Sequence, residues 1–433
     1  MIVESKRPGI GRALRHRNYR LFFSGQSVSL IGTWITRIAT SWLVYRLTNS
    51  AFLLGLVSFC GQIPTLLLAP FAGVIVDRWD RHRILVWTQA LSALQSLALA
   101  LFALSGAITV EWILALQVVQ GVINAFDTPA RQAFVVQMIE DRADLPNAIA
   151  LNSTMVNGSR IIGPSIGGII IALVGEGWCF MIDAISYIAV IASLLAMRVD
   201  ATPPRASSES VIDELRTGYR YVTGFPPVRT ALTLLAIVSA MGMPYSVLMP
   251  MIASQVLHGG PHTLGFLMTA SGLGAVAGAL YLASRRSVLG LGRVMVAATL
   301  AFGSGMIAFG LSRSLWLALL ILPVAGGGFM IEMASTNTIL QTITKEELRG
   351  RVMAFYTMAF LGTAPIGSLL AGIVASRIGA PATIIAGGFA VLAGGAWLAF
   401  RLPMLREHIR PIYREMGIIA AVQADVSKAI GVP

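Results

Sequence analysis

Gly73-Val74-Ile75-Val76-Asp77-Arg78-Trp79-Asp80-Arg81-His82-Arg83 separates two apolar stretches, each long enough to cross a bilayer. An acid and several arginines in so short a connection cannot sit in hydrocarbon. The segment therefore reads as a tight interfacial loop between two membrane-spanning helices. Outward from it, apolar stretches recur at 21–46, 52–76, 84–106, 110–131, 147–174, 178–198, 230–256, 263–284, 291–311, 315–341, 352–376 and 381–400. Each is near the roughly 20 residues that a span needs. The expected fold class is an all-α integral membrane protein with twelve transmembrane helices.

Composition supports this reading. Of 433 residues, 56% are hydrophobic and only 12% charged, about half the charged share of a soluble chain, which is ~25%. The 43 glycines suit helices that approach one another closely in lipid. The net charge of +12 comes from arginine, 29 of the 32 basic residues, and it lies in short loops rather than on a soluble face. That distribution argues for topology and against nucleic-acid binding. With the amino terminus inside, only Arg46, Arg313 and Arg377 fall at outer ends, while Arg37 and Arg160 fall within spans. All other Lys and Arg are then inside, so both termini are expected in the cytoplasm of a bacterial-type cell, the chain lying in its inner (plasma) membrane. Cys60 and Cys179 sit in apolar stretches with no partner pattern and read as packing residues.

The one long polar connection between spans, 199–229, divides the chain into a basic amino-terminal segment (1–20), a six-helix bundle (21–198), a cytoplasmic loop, a second six-helix bundle (230–400) and a tail (401–433). Within the loop, Val211, Ile212, Leu215, Tyr219 and Val222 recur at helical spacing opposite Asp213, Glu214, Arg216 and Arg220, which predicts an amphipathic helix on the inner surface. Arg406, Arg410 and Arg414 form a similar stripe in the tail. The halves repeat features. Gly-Pro-Ser-Ile-Gly-Gly at 163–168 is echoed by Ala-Pro-Ile-Gly-Ser at 364–368, and Gln137 before its charged loop by Gln341 before Lys345-Glu346-Glu347. Two pseudo-symmetric six-helix bundles are a transporter architecture, with the substrate site near midplane between them.

Four charges fall inside spans: Arg37, Arg160, Asp183 and Glu332. Each costs about 2.5–3.5 kcal/mol at the bilayer centre on insertion scales, so each is expected to face the protein interior or a water-filled cavity. Pro164 denies the Arg160 carbonyl its helical partner, which predicts a kink, and Gly163 and Gly167 give the same helix a smooth stripe. Asp183, near an outer helix end, is expected to anchor helix ends. No Gly-Lys dipeptide occurs, so ATP hydrolysis is not expected. His258 and His262 lack a third ligand, and neither a metal nor a cofactor is expected.

The loop pattern Gly73-x-x-x-Asp77-Arg78-x-x-Arg81-x-Arg83 resembles the connection between helices two and three of the major facilitator superfamily. Gly163-Pro164-x-x-Gly167-Gly168 resembles the fifth-helix signature of its proton-coupled exporters. Trp42-Leu-Val44, Ala69-Pro-Phe-Ala-Gly73, Asp127-Thr-Pro-Ala-Arg131, Arg160-Ile-Ile-Gly-Pro164 and Leu348-Arg-Gly-Arg-Val352 are similar to the subfamily that includes enterobactin exporters and macrolide efflux pumps. The resemblance implies gating by Gly73, Asp77, Arg78, Arg81, Asp127 and Arg131. In it Asp77 faces the start of helix eleven and Arg81 pairs with Asp127, although Asp127 and Arg131, four apart, would also pair with each other. It implies a hinge at Arg160, Gly163, Pro164, Gly167 and Gly168. Helices one, four, seven and ten line the cavity in this superfamily, which makes Arg37 and Glu332 the cavity residues and Glu332, with Asp183, a candidate for proton coupling. The function implied is export of a small amphipathic molecule, a siderophore, macrolide or other drug-like compound, by alternating access and proton antiport. Its partners are then the substrate, protons and the lipid bilayer, and nothing asks for more than a monomer. An importer of the same fold and a non-transporting sensor or scaffold are the alternatives.

Overall fold

A computed structural model describes residues 11–198, 211–285 and 287–418, with backbone alone for Pro70, Val74, Asp77 and 211–215. These residues are helical, without strands. Six helices fill the first half: α1 (Arg17–Thr48), α2 (Ala51–Arg78), α3 (Arg81–Leu104), α4 (Val110–Gln137), α5 (Leu145–Val174) and α6 (Glu176–Leu195). A short helix, α7 (Val211–Gly224), leads into α8 (Pro226–Val256), α9 (Pro261–Ser284), α10 (Leu291–Leu311), α11 (Leu315–Ile343), α12 (Glu346–Ile378) and α13 (Ala380–Glu415).

The turns follow from local chemistry. Asn49, at φ 50°, takes the left-handed cap that ends α1, and the Ser50 hydroxyl then accepts the Leu53 amide to start α2. Asp80 caps α3 by accepting the His82 amide at 2.9 Å, so an acid read as part of an arginine cluster also has a helix-starting role. Gly175 and Gly379, at φ 87° and 85°, each form a one-residue turn, between α5 and α6 and between α12 and α13. Positive φ favours glycine there, at matching places in the two halves.

Among the described residues, ten helices are long and apolar enough to cross a membrane. Two further long helices, α1 and α4, run over 32 and 28 residues at expected spans and lie outside that set. They fall short because Thr33, Thr36, Arg37, Thr40, Gln117, Gln120, Asn124 and Asp127 interrupt their apolar sequence, and all of these line the central cavity. A span that faces water inside the protein need not be apolar on that side.

Two helices depart from the expected regularity. In α8 the α-helix ends at Ile237 and continues as a π-turn at Val238–Gly242, a 3₁₀ turn at Met243–Ser246 and a second π-turn at Ile252–Val256. In α12 a π-turn occupies Met358–Gly362. The two π-turns meet: Ser239 Oγ donates to the Phe360 carbonyl at 2.6 Å and Thr363 Oγ1 to the Ala236 carbonyl at 3.3 Å. Such insertions cluster where a helix must re-aim side chains, here into the cavity. Two further boundaries move. Helix α4 runs to Gln137 rather than 131, and α13 runs to Glu415 rather than 400.

Packing repeats between the halves. Helix α1 packs on α5 and α6, α2 on α4, and α3 on α4 and α6; correspondingly, α9 packs on α11, and α10 on α11 and α13. Contact between the halves runs through α5 with α9 and α2 with α12. Glycine makes both crossings close. A Cβ on Gly168 would stand 2.7 Å from the Pro261 carbonyl oxygen and 3.1 Å from the Gly265 Cα, and one on Gly372 2.7 Å from the Ala51 carbonyl oxygen and 3.1 Å from the Gly55 Cα. Helix α7 lies on the first turns of α12, where Gly218 meets Phe355 and Arg351. Its packed face carries Gly218 and the buried Val222, whereas Tyr219 of the expected apolar stripe is exposed.

Candidate functional site

A cavity of about 1160 Å³ lies between the two halves, lined mainly from α1–α4, α6, α8 and α12. Its apolar wall includes Trp34, Leu54, Val57, Met243, Val247, Met268, Phe355 and Met358. Its polar wall belongs mostly to the first half, where Gln89, Ser92, Gln95 and Ser96 of α3 line it and, with Thr88, form a buried stripe at helical spacing. This stripe is a signal the sequence carried and the reading above did not use.

Two carboxylates sit on that wall. Asp127 accepts from Thr88 Oγ1 at 2.9 Å and from Gln89 Nε2 at 2.7 Å, and pairs with Arg131 at 3.5 Å. Of the two pairings left open, the one within α4 is formed. Because α4 continues ten residues past Asp127, the pair stands roughly 15 Å from the helix end at 1.5 Å per residue. It is a cavity pair rather than a loop contact. Asp183 accepts from Ser96 Oγ at 2.8 Å, and its other carboxylate oxygen has no hydrogen-bond partner among the described residues. A Cβ on Gly32 would stand 2.7 Å from that oxygen, so α1 is glycine where it passes the acid. Gln120 bonds Ser92 at 3.3 Å and Asn124 at 3.1 Å, which extends the polar surface between the two acids. The expectation that Asp183 anchors a helix end is corrected: the carboxylate is 1% exposed, held between α1 and α3, and lines the cavity. Sequence position gives depth along a helix but not the face on which a side chain stands. The buried Asp183, Ser186, Tyr187 and Ser193 of α6 do share one face.

Glu332 is corrected in the opposite sense. It does not line the cavity. It is fully buried in α11, where Oε1 accepts from Thr336 at 3.0 Å and Oε2 has no partner among the described residues. The Gly326-Gly327-Gly328 run that precedes it packs against α9 and α10 instead of opening a pocket: added Cβ atoms would meet the carbonyls of Ser271, Gly274 and Ala298.

Arg37 does line the cavity and is exposed within it. Its guanidinium lies 4.6 Å from the centre of the Trp34 ring, and Arg160 lies 5.9 Å from the same ring. Cation–π contact replaces an ion pair for both, since neither meets a carboxylate among the described residues. Arg160 belongs to the fifth-helix motif, and that motif has two faces. Gly163 and Gly167 lie against Trp34, Ile35 and Ile38 of α1, while Gly168 lies against α9. Helix α5 runs unbroken through Pro164. Near that proline α9 bonds to α5, with Thr269 Oγ1 donating to the Ile161 carbonyl at 3.1 Å and standing 2.7 Å from Ser165 Oγ.

The cavity is closed at one end and reaches the surface at the other. At the closed end, Gln255 Nε2 donates to Asn49 Oδ1 at 2.9 Å, near both glycine crossings. At the other, the lining runs past Arg131 to the exposed Gly350 and the half-buried Arg351 at the start of α12. Asp77 lies in the last turn of α2, and its side chain is outside the described residues; Arg78 is exposed beside it and Arg81 opens α3. Gly73 faces open space, with nothing within 4 Å of an added Cβ. Gly73→Ala should therefore leave a thermal melt of the purified protein unchanged or raise its stability by about 0.5–1 kcal/mol through helix propensity. A lowered melting temperature would contradict the open geometry at this end.

A helical bundle whose halves meet along two glycine crossings, around a cavity that is apolar on one side and charged on the other, has the build of a membrane transporter. Residues 12–425 match the family described as transmembrane secretion effector, and the chain belongs to that family, within the major facilitator superfamily. It is 29% identical to the staphyloferrin A transporter of Staphylococcus aureus, covering 83% of this chain and 90% of that one. It is 28% identical to the multidrug efflux pump Tap of Mycolicibacterium fortuitum, covering 87% and 93%. The fold is that of a solved bacterial homologue of the human lysosomal transporter Spinster in an inward-facing, unoccupied conformation (TM-score 0.64, 14% identity, 95% of this chain and 99% of that one). The chain is thus a multi-pass transporter of the bacterial inner membrane.

Proposed function

We propose that the protein exports a small amphipathic molecule, a siderophore or drug-like compound, in exchange for protons. Twelve spans in two six-helix bundles, 21–198 and 230–400, would alternate between openings to either side, with both termini cytoplasmic. The observation that carries the reading is the pair of unneutralised charges in the central cavity. Arg37 over Trp34 offers a cation without an acid, and Asp183 an acid without a cation. The first suits a negative or electron-rich group on an otherwise apolar substrate facing Met243, Met268 and Phe355, and the second suits a proton. Loading substrate and proton on one cavity wall makes each compete with the other for the cycle, which is what exchange requires. The open end then lies on the cytoplasmic side, and closing it brings the Gly73–Arg81 region and its partners against the start of α12. The efflux pump among the relatives supports export, as does the fifth-helix string.

The test is accumulation of a panel of siderophores and drugs in cells lacking and overproducing the chain, with and without a protonophore. Accumulation of at least one compound should fall with overproduction and be restored by the protonophore. Increased uptake on overproduction would reverse the direction, and efflux indifferent to the protonophore would remove the proton.

A further inference from the structure

A second pocket, of about 330 Å³, lies outside the central cavity where the first turn of α10 meets the last turns of α13. Arg293 of α10 and Arg406 and Arg410 of α13 line it, and no Asp or Glu among the described residues does. Arg406 and Arg410 are one helical turn apart on α13, and none of the three side chains makes a hydrogen bond or ion pair among the described residues. Three guanidinium groups around one hollow repel one another unless an anion lies between them. The positive end of the α10 helix dipole favours the same sign of ligand. The wall below is apolar: Met295, Leu402 and Ile409 line it.

The level in the membrane fits a headgroup. Helix α13 spans 36 residues, roughly 54 Å at 1.5 Å per residue, against a hydrocarbon core of about 30 Å, so its carboxy-terminal turns pass out of the apolar layer. Trp397, with Arg401 5.1 Å from its ring centre, marks that boundary about two turns before Arg406. Phe400, 86% exposed, faces the surroundings at the same height.

We propose that this pocket binds an anionic glycerophospholipid of the surrounding bilayer, its phosphate held by Arg293, Arg406 and Arg410 and its first methylenes against Met295, Leu402 and Ile409. Basic pockets between helices at the interface hold acidic headgroups by this chemistry. Neither the proposed substrate nor the proposed proton uses this pocket.

The experiment is native mass spectrometry of the full chain released from phosphatidylcholine nanodiscs doped with phosphatidylglycerol, beside a titration with inorganic phosphate alone. The wild type should retain one phosphatidylglycerol in preference to phosphatidylcholine. Each arginine changed to glutamine should weaken that retention by about fivefold, from roughly 1 kcal/mol per basic side chain. Arg406→Lys with Arg410→Lys should keep most of the retention and so guards against a misfolded glutamine pair. Leu402→Trp, which fills the hollow and leaves every charge in place, should also abolish it. Equal retention of phosphatidylglycerol in the wild type, the glutamine pair and Leu402→Trp would overturn the proposal. So would inorganic phosphate that binds with the same arginine dependence and displaces the lipid, because the ligand would then be the free ion.

Discussion

Asp183→Asn is expected to remove uphill, protonophore-sensitive efflux while leaving energy-independent substrate exchange across the membrane intact. The substitution is nearly isosteric. The amide oxygen still accepts from Ser96 Oγ, which stands 2.8 Å from the carboxylate, and the group still fits against Gly32. What it loses is the capacity to take and release a proton on the cavity wall. Glu332→Gln is the matched control. It keeps the Thr336 contact at 3.0 Å and is fully buried away from the cavity lining, so gradient-driven efflux should survive it. Transport in inverted vesicles, measured as substrate accumulation with an imposed pH gradient and as counterflow without one, separates the two steps. Gradient-driven accumulation that persists in Asp183→Asn and disappears in Glu332→Gln would transfer the proton to Glu332 and sink the assignment made here.

How much of this was legible in the sequence depends on whether a property runs along the chain or across it. Span positions, the interfacial loop at 73–83 and the repeat between the halves are properties of order, and hydropathy records order. The polarity that lowers α1 and α4 below the apolar threshold was visible too. It registered only as Arg37 in α1 and the Asp127–Arg131 spacing in α4, rather than as the faces that carry Thr33, Arg37 and Thr40 or Gln120, Asn124 and Asp127. Azimuth is where the reading went wrong. Asp183, read both as a helix-end anchor and as a proton-coupling candidate, lines the cavity, whereas Glu332, given the cavity because its helix with the Gly326-Gly327-Gly328 run lines it in the superfamily the chain resembles, does not. In lipid, however, glycine serves close packing as readily as opening. Here the backbone carbonyls of α9 and α10 fill the space beside that run. The π-turns at 238–242, 252–256 and 358–362 left no such trace. Their residues share no pattern that marks the turns, and the turns at 238–242 and 358–362 are joined by the Ser239 to Phe360 bond between helices, a tertiary fact.

Gly168→Val is expected to abolish transport by holding open the end that is closed here. The neighbours that an added Cβ would meet are backbone, the Pro261 carbonyl at 2.7 Å and the Gly265 and His262 Cα atoms at 3.1 Å, so no side chain can swing aside to admit it. Overpacking of this kind costs about 1–3 kcal/mol where the structure yields. The least resistant movement is separation of α5 from α9, which widens the outer seam between the halves. Gly372→Val should act in the same way at the other crossing, since its neighbours are the Ala51 carbonyl at 2.7 Å and the Gly55 Cα at 3.1 Å. A cysteine pair at Asn49 and Gln255, whose side chains bond at 2.9 Å across the seam, reports closure directly. Disulfide formation should be fast in the parent and several-fold slower with either valine. Unchanged cross-linking together with lost transport would mean that the valine damages the fold and not the seam. Retained transport with unchanged cross-linking would show that the two crossings tolerate a side chain and do not set the closed state. The test reaches past one residue, because the two crossings occupy matching places in the repeated halves. If both valines loosen the same seam, the contact that ends one half of the transport cycle is made by backbone against backbone at two symmetry-related points. It would then need neither charge nor a large side chain. That leaves the charged groups at the opposite end, Arg78, Arg81 and their neighbours, free to set the balance between the two closed forms rather than to hold either one shut.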